Sequence, residues 1–339
     1  MKNLITQKNL ITDVAGLKIG EAHDKAAATG VTAIIFDRPS VASIAILGGA
    51  PGLRDTALLE PEMTVDHVDA ILLSGGSAFG LDAAGGAMAA LKEDGRGFEV
   101  GPARVPIVPQ AILFDLLNGG NKDWGRMPPY WELGYRATKS ASLDVALGNA
   151  GAGYGATTAT LKGGLGSTSA TTPSGFTVGA IVAVNAVGSA TMGDDPYFWA
   201  APFERQNEFG GLGLPGTMSE DLLRPRLKGA AQRANTVIAC IATDAVLTKA
   251  DCKRVALAAH DGMARALRPA HTPMDGDTVF AAATGTKPLT KGVVDLTEIC
   301  VAAADVLARA IARGVYEAET LPFDKALPSW KDRFSNFKS

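Results

Sequence analysis

Residues 233–245 read RANTVIACIATDA, and the interpretation of the whole chain depends on this stretch. Thr236 follows Asn235 and opens an apolar run that predicts one buried strand. In one interpretation Thr236 is simply a β-branched residue at the start of a strand, where such residues are favoured. In the other, the Thr236 hydroxyl cuts the Asn235–Thr236 bond. That cut would create an N-terminal threonine with its hydroxyl as nucleophile and its α-amine as base.

The second interpretation needs no histidine, because an α-amine titrates at about 7.7–8. The spacing alone does not select it, since an Asn-Thr pair before a strand is common. Other parts of the chain have to decide between the two.

Composition excludes several classes of protein. The chain has 339 residues, 47% of them hydrophobic, which suffices for a large core in one α/β unit or two interlocked layers. A formal net charge of −3 gives no basic surface for nucleic acid. Residues 1–14 do not resemble a signal peptide, and no apolar stretch is long enough for a membrane span. We therefore expect a cytoplasmic protein without nucleic-acid or membrane partners.

Cysteine and histidine spacing predicts neither a metal nor a cofactor. The three cysteines (Cys240, Cys252, Cys300) lack CxxC or other metal-ligand spacing and are typical of buried side chains in a reducing compartment. The four histidines are scattered, without an HExxH pair.

In the first half of the chain, the runs 31–36 and 41–47 predict a hairpin with its turn at 37–40. A strand at 68–73 enters a glycine-rich turn at 74–82 and then a helix. This turn matches neither a phosphate-binding motif nor GxSxG. Its glycines are explained by close packing, with a pocket-lining role left open.

The second half is predicted from the same kinds of signal. We expect a functional loop at 118–135, a helix at 140–147, a central strand at 176–187 and a surface connection at 188–233. After the Thr236 strand, Thr248 and Asp251 form a capping box that opens a helix. A strand at 279–283 and an amphipathic helix at 296–311 follow.

Four polar residues have both a functional and an ordinary explanation. Lys162 lies among glycines and is either a solvated loop lysine or a costly buried one with a function. Asn185 interrupts an apolar strand, so its amide bonds either a loop or a ligand. Asp275 and Asp277 flank a glycine and either sit in a plain turn or orient a cationic amine. The complete EF-hand pattern for calcium is absent.

Taken in order, a set of sequence words resembles the self-processing β-aminopeptidase and D-aminopeptidase/esterase family (DmpA, BapA), which includes nylon-oligomer hydrolases. The resemblance spans nearly the whole chain. The words are ITDVAGLKIGEAHD (11–24), GGAPGLRDTALL (48–59), AILLSGGSAFGLDAA (70–84), VPIVPQAILFDL (105–116), NAGAGYGATT (149–158), KGGLGS (162–167), GAIVAVNAVG (179–188), ANTVIACIATDA (234–245) and MDGDTVFAAATG (274–285).

The resemblance implies an α+β fold, a four-layer αββα sandwich similar to N-terminal-nucleophile hydrolases. It implies one domain over 1–339 that cleaves itself into 1–235 and 236–339, with the fragments staying together. Such αβ units are expected to assemble into oligomers, here a tetramer of αβ units. The partner implied for the site is a small amide or peptide substrate.

Site residues follow from the matching positions. Thr236 corresponds to the nucleophile and Asn185 to an asparagine whose NH₂ helps to form the oxyanion hole. Lys162 corresponds to a lysine beside the nucleophile, and Asp275 and Asp277 to a carboxylate pair, both as in the nylon-oligomer branch. The lysine would favour a neutral α-amine and the carboxylates a protonated, positioned one.

Two aromatic residues in the glycine-rich words, Phe79 and Tyr154, are the candidates for substrate contact. Phe79 departs from the nylon-oligomer branch, which has a tyrosine there, so a hydroxyl contact would be missing. We therefore expect an aminopeptidase acting on short peptides and amino-acid amides, with nylon-oligomer hydrolysis as the alternative. A non-catalytic binding scaffold and a phosphate-binding protein are alternatives of other classes.

Overall fold

The computed structural model describes residues 7–229 and 235–337. Eleven strands were found in these residues. They are β1 Leu17–Asp24, β2 Thr29–Ile46, β3 Gly52–Arg54, β4 His67–Ser74, β5 Phe98–Val100, β6 Ala103–Val105, β7 Gln110–Ile112, β8 Leu165–Thr171, β9 Thr177–Asn185, β10 Thr236–Ala245 and β11 Thr278–Lys287. The α-helices of the same residues are α1 Ala83–Glu93, α2 Tyr130–Lys139, α3 Glu220–Leu223, α4 Lys249–Ala266, α5 Val293–Tyr316 and α6 Trp330–Arg333.

Strand β2 joins two sheet layers. Its first half pairs with β1 and β4, and residues 41–46 pair with β11. Hydrogen bonding therefore runs continuously in the order β3-β7-β4-β2-β11-β10-β9-β8, with β1 attached to β2 and β5–β6 as a separate hairpin. Helices α1 and α2 pack beside the first layer, and α4 and α5 beside the second.

Three hydrophobic cores alternate with these layers. Along β10, Ile238 and Cys240 belong to the core between the two sheet layers, whereas Val237 and Ala239 belong to the core under α4 and α5. Successive side chains of a strand point to opposite faces, so a strand buried on both faces reads as a continuous apolar run. The stretch at 236–245 has this property, and the α+β fold with helices on both outer faces is confirmed.

The hairpin expected at 31–47 is wrong, because residues 31–46 belong to the single strand β2. Residues 37–39 are exposed, and the pairing with β4 shifts register between Ile35 and Ser40. Polar residues and a proline here mark an irregularity in a strand, since proline donates no ladder hydrogen bond.

Two further predictions need correction. The helix expected at 140–147 is absent from that described segment, where Ser142 instead exchanges backbone hydrogen bonds of 2.9 Å with Ile19. The helix of this region is α2, which occupies the end of the expected 118–135 loop. The 188–233 connection is described as far as Gly229, and its beginning is buried against the core at Ala190 and Phe198.

Other predicted elements are confirmed. Strand β9 lies within the predicted 176–187 run, β11 covers the 279–283 run and α5 covers the 296–311 helix. The capping box is present at the start of α4, where the Thr248 side chain accepts the Asp251 amide. In the described ranges, no helix combines the length and apolarity needed to cross a membrane.

Candidate active site

Strand pairing places Thr236 opposite Asn185. Thr236 is the first residue of β10, Asn185 is the last of β9, and the two are antiparallel partners. Both are buried, with 3% and 1% of their surfaces exposed. The asparagine that interrupts the apolar run of β9 therefore lies beside the threonine that opens β10.

The loop before β11 runs alongside the residue that precedes Thr236. Asn235 and Asp275 form a parallel bridge, and the Asn235 amide donates to the Met274 carbonyl at 3.2 Å. The Gly276 amide donates to the Asn235 carbonyl oxygen at 2.8 Å. The Thr236 hydroxyl donates to the same oxygen at 2.5 Å. The Thr236 hydroxyl and a backbone N–H donor thus meet at one carbonyl group.

The two aspartates of this loop are buried and hold the ends of neighbouring strands. Asp275 accepts the Val187 amide at 3.2 Å and the Thr272 hydroxyl at 2.8 Å. Asp277 accepts the Val237 amide at 3.1 Å. Burial, and then the charge of Asp277, raise the pKa of Asp275.

His271 is the second partner of Asp277. Its backbone amide and its Nδ1 lie 2.8 and 2.9 Å from Asp277 Oδ2. Burial opposes the charged imidazole, but the Asp277 hydrogen bond and charge outweigh it and raise the pKa of His271. In the sequence, this histidine is one of four scattered histidines. Its position six residues before Asp277, in the same loop, was the available signal.

Lys162 is buried, with 1% of its surface exposed. Its Nζ donates to the carbonyls of Gly153 and Gly163 at 3.0 and 2.7 Å. Burial lowers its pKa to about 7, against the opposing charge of Asp115. The solvated-loop explanation of Lys162 is therefore wrong, because the glycines around it bury it and supply its partners.

Lys228 is a second buried lysine, which sequence reasoning missed. Its Nζ donates to Asn185 Oδ1 at 3.1 Å, and its backbone amide donates to the Val187 carbonyl at 2.9 Å. Burial lowers its pKa to about 7, with Asp275 raising it and Lys162 lowering it. Nothing in the 188–233 sequence distinguishes Lys228 from a surface lysine, because its burial comes from tertiary contacts.

A cavity of about 540 Å³ borders Asn235 and Lys228. Its walls also come from residues at 114–119 and 324–327, with Thr157 and Ala159. Because Asn235 supplies the carbonyl of the candidate scissile bond, the cavity lies on the acyl side of that bond.

The structure does not place Phe79 or Tyr154 on the walls of this cavity. Phe79 is 52% exposed and contacts Trp124 edge to face at 5.7 Å. Tyr154 is buried and stacks on His23 at 4.6 Å. Substrate contact by these two residues stays a prediction.

Comparison with known proteins identifies the family of the chain. Residues 9–326 match the sequence model of the family described as "Peptidase family S58". An uncharacterized aminopeptidase of Mycobacterium tuberculosis (strain H37Rv) is 42% identical over 346 residues, covering 96% of this chain and 98% of its own. The chain belongs to peptidase family S58. It is therefore a hydrolase of peptide or amide bonds.

A more distant sequence relative and a solved structure are also similar to this S58 peptidase. The 6-aminohexanoate-oligomer endohydrolase of Kocuria sp. (strain KY2) is 27% identical, covering 82% of this chain and 76% of its own. The L-aminopeptidase D-Ala-esterase/amidase of Ochrobactrum anthropi, described as a variant of the Ntn hydrolase fold, superimposes with a TM-score of 0.68 at 20% identity. That superposition covers 96% of this chain and 91% of the other. It confirms the N-terminal-nucleophile type of fold.

Proposed function

We propose that this S58 peptidase is a self-processing N-terminal-threonine amidohydrolase that acts as an aminopeptidase on short peptides and amino-acid amides. The observation that carries the proposal is the meeting of the Thr236 hydroxyl and the Gly276 amide at the Asn235 carbonyl oxygen. The 42% identity to an aminopeptidase supports the choice of substrate class.

Self-cleavage begins when Thr236 Oγ1 attacks the Asn235 carbonyl carbon. The negative charge develops on the Asn235 oxygen, where the Gly276 N–H already donates. The Asn185 NH₂ is the second donor that we assign to this charge. A preorganised donor at that point stabilises the transition state without reorganisation. The Thr236 hydroxyl proton passes to the nitrogen of the breaking C–N bond, which leaves an ester on Thr236 and a free α-amine, and water hydrolyses the ester. The products are fragments 1–235 and 236–339 of one αββα domain.

Substrate hydrolysis uses the same groups. The freed α-amine of Thr236 takes the hydroxyl proton, Oγ1 attacks the substrate carbonyl, and the Asn185 amide and backbone N–H groups hold the oxyanion. The α-amine passes that proton to the substrate nitrogen as the C–N bond breaks, and water then hydrolyses the acyl-enzyme ester on Thr236. The substrate acyl group occupies the cavity beside the former position of Asn235. Asp275, Asp277 and Lys162 form the charged surroundings that position the α-amine.

The test is the intact mass of freshly purified protein under denaturing conditions. We expect two species whose masses sum to the 34.9 kDa chain plus one water, the smaller beginning at Thr236. Release of an N-terminal amino acid from short peptide amides would then be assayed on the processed protein. A single uncut species that persists on incubation contradicts the proposal.

Nylon-oligomer hydrolysis is the second candidate. The buried lysine Lys162 and the carboxylate pair Asp275/Asp277 resemble the nylon-oligomer branch. The same processed protein would be incubated with a 6-aminohexanoate oligomer and with a peptide amide. Internal cleavage of the oligomer at a higher kcat/KM than the peptide amide would reverse the order of the two candidates.

Location and assembly complete the proposal. We place the enzyme in the cytoplasm and expect tetramers of αβ units. Val293, Val294 and Val301 are 75%, 52% and 58% exposed on α5, an apolar surface of the kind that subunit contacts cover. Light scattering of the processed protein after size-exclusion chromatography measures the number of units.

A further inference from the structure

We propose that Lys228 is a positioning residue for this reaction: its Nζ holds Asn185 Oδ1 so that the amide NH₂ faces the reacting carbonyl. The inference rests on the proposed function, in which Asn185 is an oxyanion donor. It concerns a residue outside the set matched by resemblance.

The hydrogen-bond partners of Asn185 fix the orientation of its side-chain amide. The two ends of an amide have nearly the same shape, so hydrogen-bond partners decide which way it points. Asn185 Oδ1 accepts the Thr157 amide at 3.0 Å and Lys228 Nζ at 3.1 Å, and Nδ2 donates to the Phe114 carbonyl at 3.0 Å. A flipped amide would set donors against donors at Thr157 and Lys228.

The Lys228 contact differs in chemistry from the other two contacts of the Asn185 amide. Thr157 and Phe114 act through their backbones, whereas Lys228 contributes a side chain whose protonated amine has donors only. A cationic donor on the amide oxygen polarises the group and strengthens its N–H donors on the other side. Asp275 is close enough to favour this cation electrostatically.

The segment that carries Lys228 is held in place by its own contacts. Lys228 lies upstream of the Asn235–Thr236 bond and borders the same cavity as Asn235. Its segment is held by the Lys228 amide on the Val187 carbonyl and by an ion pair of 2.9 Å between Arg226 and Asp194. These contacts do not depend on the scissile bond, so Lys228 stays beside Asn185 after cleavage and serves both reactions.

The experiment measures self-cleavage in full-length chains made by pulse-labelled cell-free synthesis. Removing an oxyanion donor costs roughly 10²- to 10³-fold in rate, and a misdirected donor keeps part of its effect. We expect Lys228→Met to slow conversion of the uncut chain by about ten- to a hundredfold. Lys228→Arg, which keeps cationic donors, should recover most of that loss. In processed Lys228→Met, kcat should fall while KM holds.

The matched control is Lys249→Met. Lys249 is also buried, with 6% of its surface exposed, and its Nζ donates to the Leu58, Met63 and Val65 carbonyls away from the site. A merely structural lysine lowers Tm without changing the cleavage rate, and we expect this of Lys249→Met. If Lys228→Met does not fold, Lys228→Gln keeps a donor without the charge and should show an intermediate rate.

Two results overturn the inference: cleavage of Lys228→Met at the wild-type rate, or no recovery in folded Lys228→Arg. Failure of the proposed function looks different, because the wild-type chain itself would then stay uncut.

Discussion

The amide nitrogen of Gly276 lies 2.8 Å from the carbonyl oxygen of Asn235, at the bond that we propose Thr236 cuts. The same glycine has no room for a side chain. A Cβ at position 276 would lie 2.8 Å from Thr236 Oγ1 and 2.6 Å from the Ala50 carbonyl oxygen. The lack of a side chain at position 276 therefore leaves room for the Thr236 hydroxyl and lets the Gly276 amide reach the Asn235 oxygen.

Gly276→Ala should slow self-cleavage by at least about tenfold, which corresponds to 1.4 kcal/mol in the barrier. The Ala50 contact is with backbone, so the loop has to move and the 276 amide leaves the Asn235 oxygen. The measurement is the time course of the uncut chain. Gly216→Ala is the control, because a Cβ there meets open space. Equal rates for both variants would show that the Gly276 contact is dispensable.

Thr236→Ala should yield a single uncut chain without amidase activity, whereas Thr236→Ser should still cleave because it keeps a hydroxyl. Intact mass after prolonged incubation checks both. Thr243→Ala provides the control within the same strand, since Thr243 is also buried in β10 but lies away from the bond. Efficient cleavage of Thr236→Ala would leave Thr236 with only the β-branched strand role.

Asp277→Asn should lower the pKa of His271. In the wild type the Asp277 contact outweighs burial and holds this pKa above 6.5. A raised folded pKa gives stability that is present below 6.5 and is lost as pH rises through the folded value. The Tm difference between wild type and Asp277→Asn should therefore be largest in mild acid and shrink as pH rises. NMR titration of the His271 ring measures the pKa directly, and an unchanged value in the variant would rule out the pairing.

Continuous apolar runs predicted the strands that are buried on both faces. β9 and β10 read as continuous apolar runs because each contributes alternate residues to two cores. The same signal failed at β2, where polar residues at 37–39 resemble a turn but lie in a register shift. Local sequence does not report which strand lies alongside, and that decides between a turn and a bulge.

The candidate site, too, was predicted only in part from the sequence. Asn185 and Lys162 stand out because a polar residue in an apolar or glycine-rich run requires an explanation. Lys228 stands in a polar segment, where a lysine is unremarkable, and only the folded chain buries it against Asn185. Gly276 was visible merely as the residue between two aspartates. Its contact with the Asn235 carbonyl comes with the bridge between Asn235 and Asp275, which the sequence does not reveal.

Lys162→Met should flatten the dependence of stability on pH in alkali. The folded pKa of Lys162 is about 7, below the usual lysine value of 10.5, so between these limits the unfolded chain binds more protons. Stability then rises with pH by up to about 1.4 kcal/mol per pH unit for this one group, and below about pH 7 the contribution to the slope vanishes. The comparison is best made in uncut Thr236→Ala chains, by urea unfolding from pH 7 to 10. Lys291→Met, at an exposed lysine, should retain the full slope, and an equal slope in Lys162→Met would mean that Lys162 titrates as if solvated.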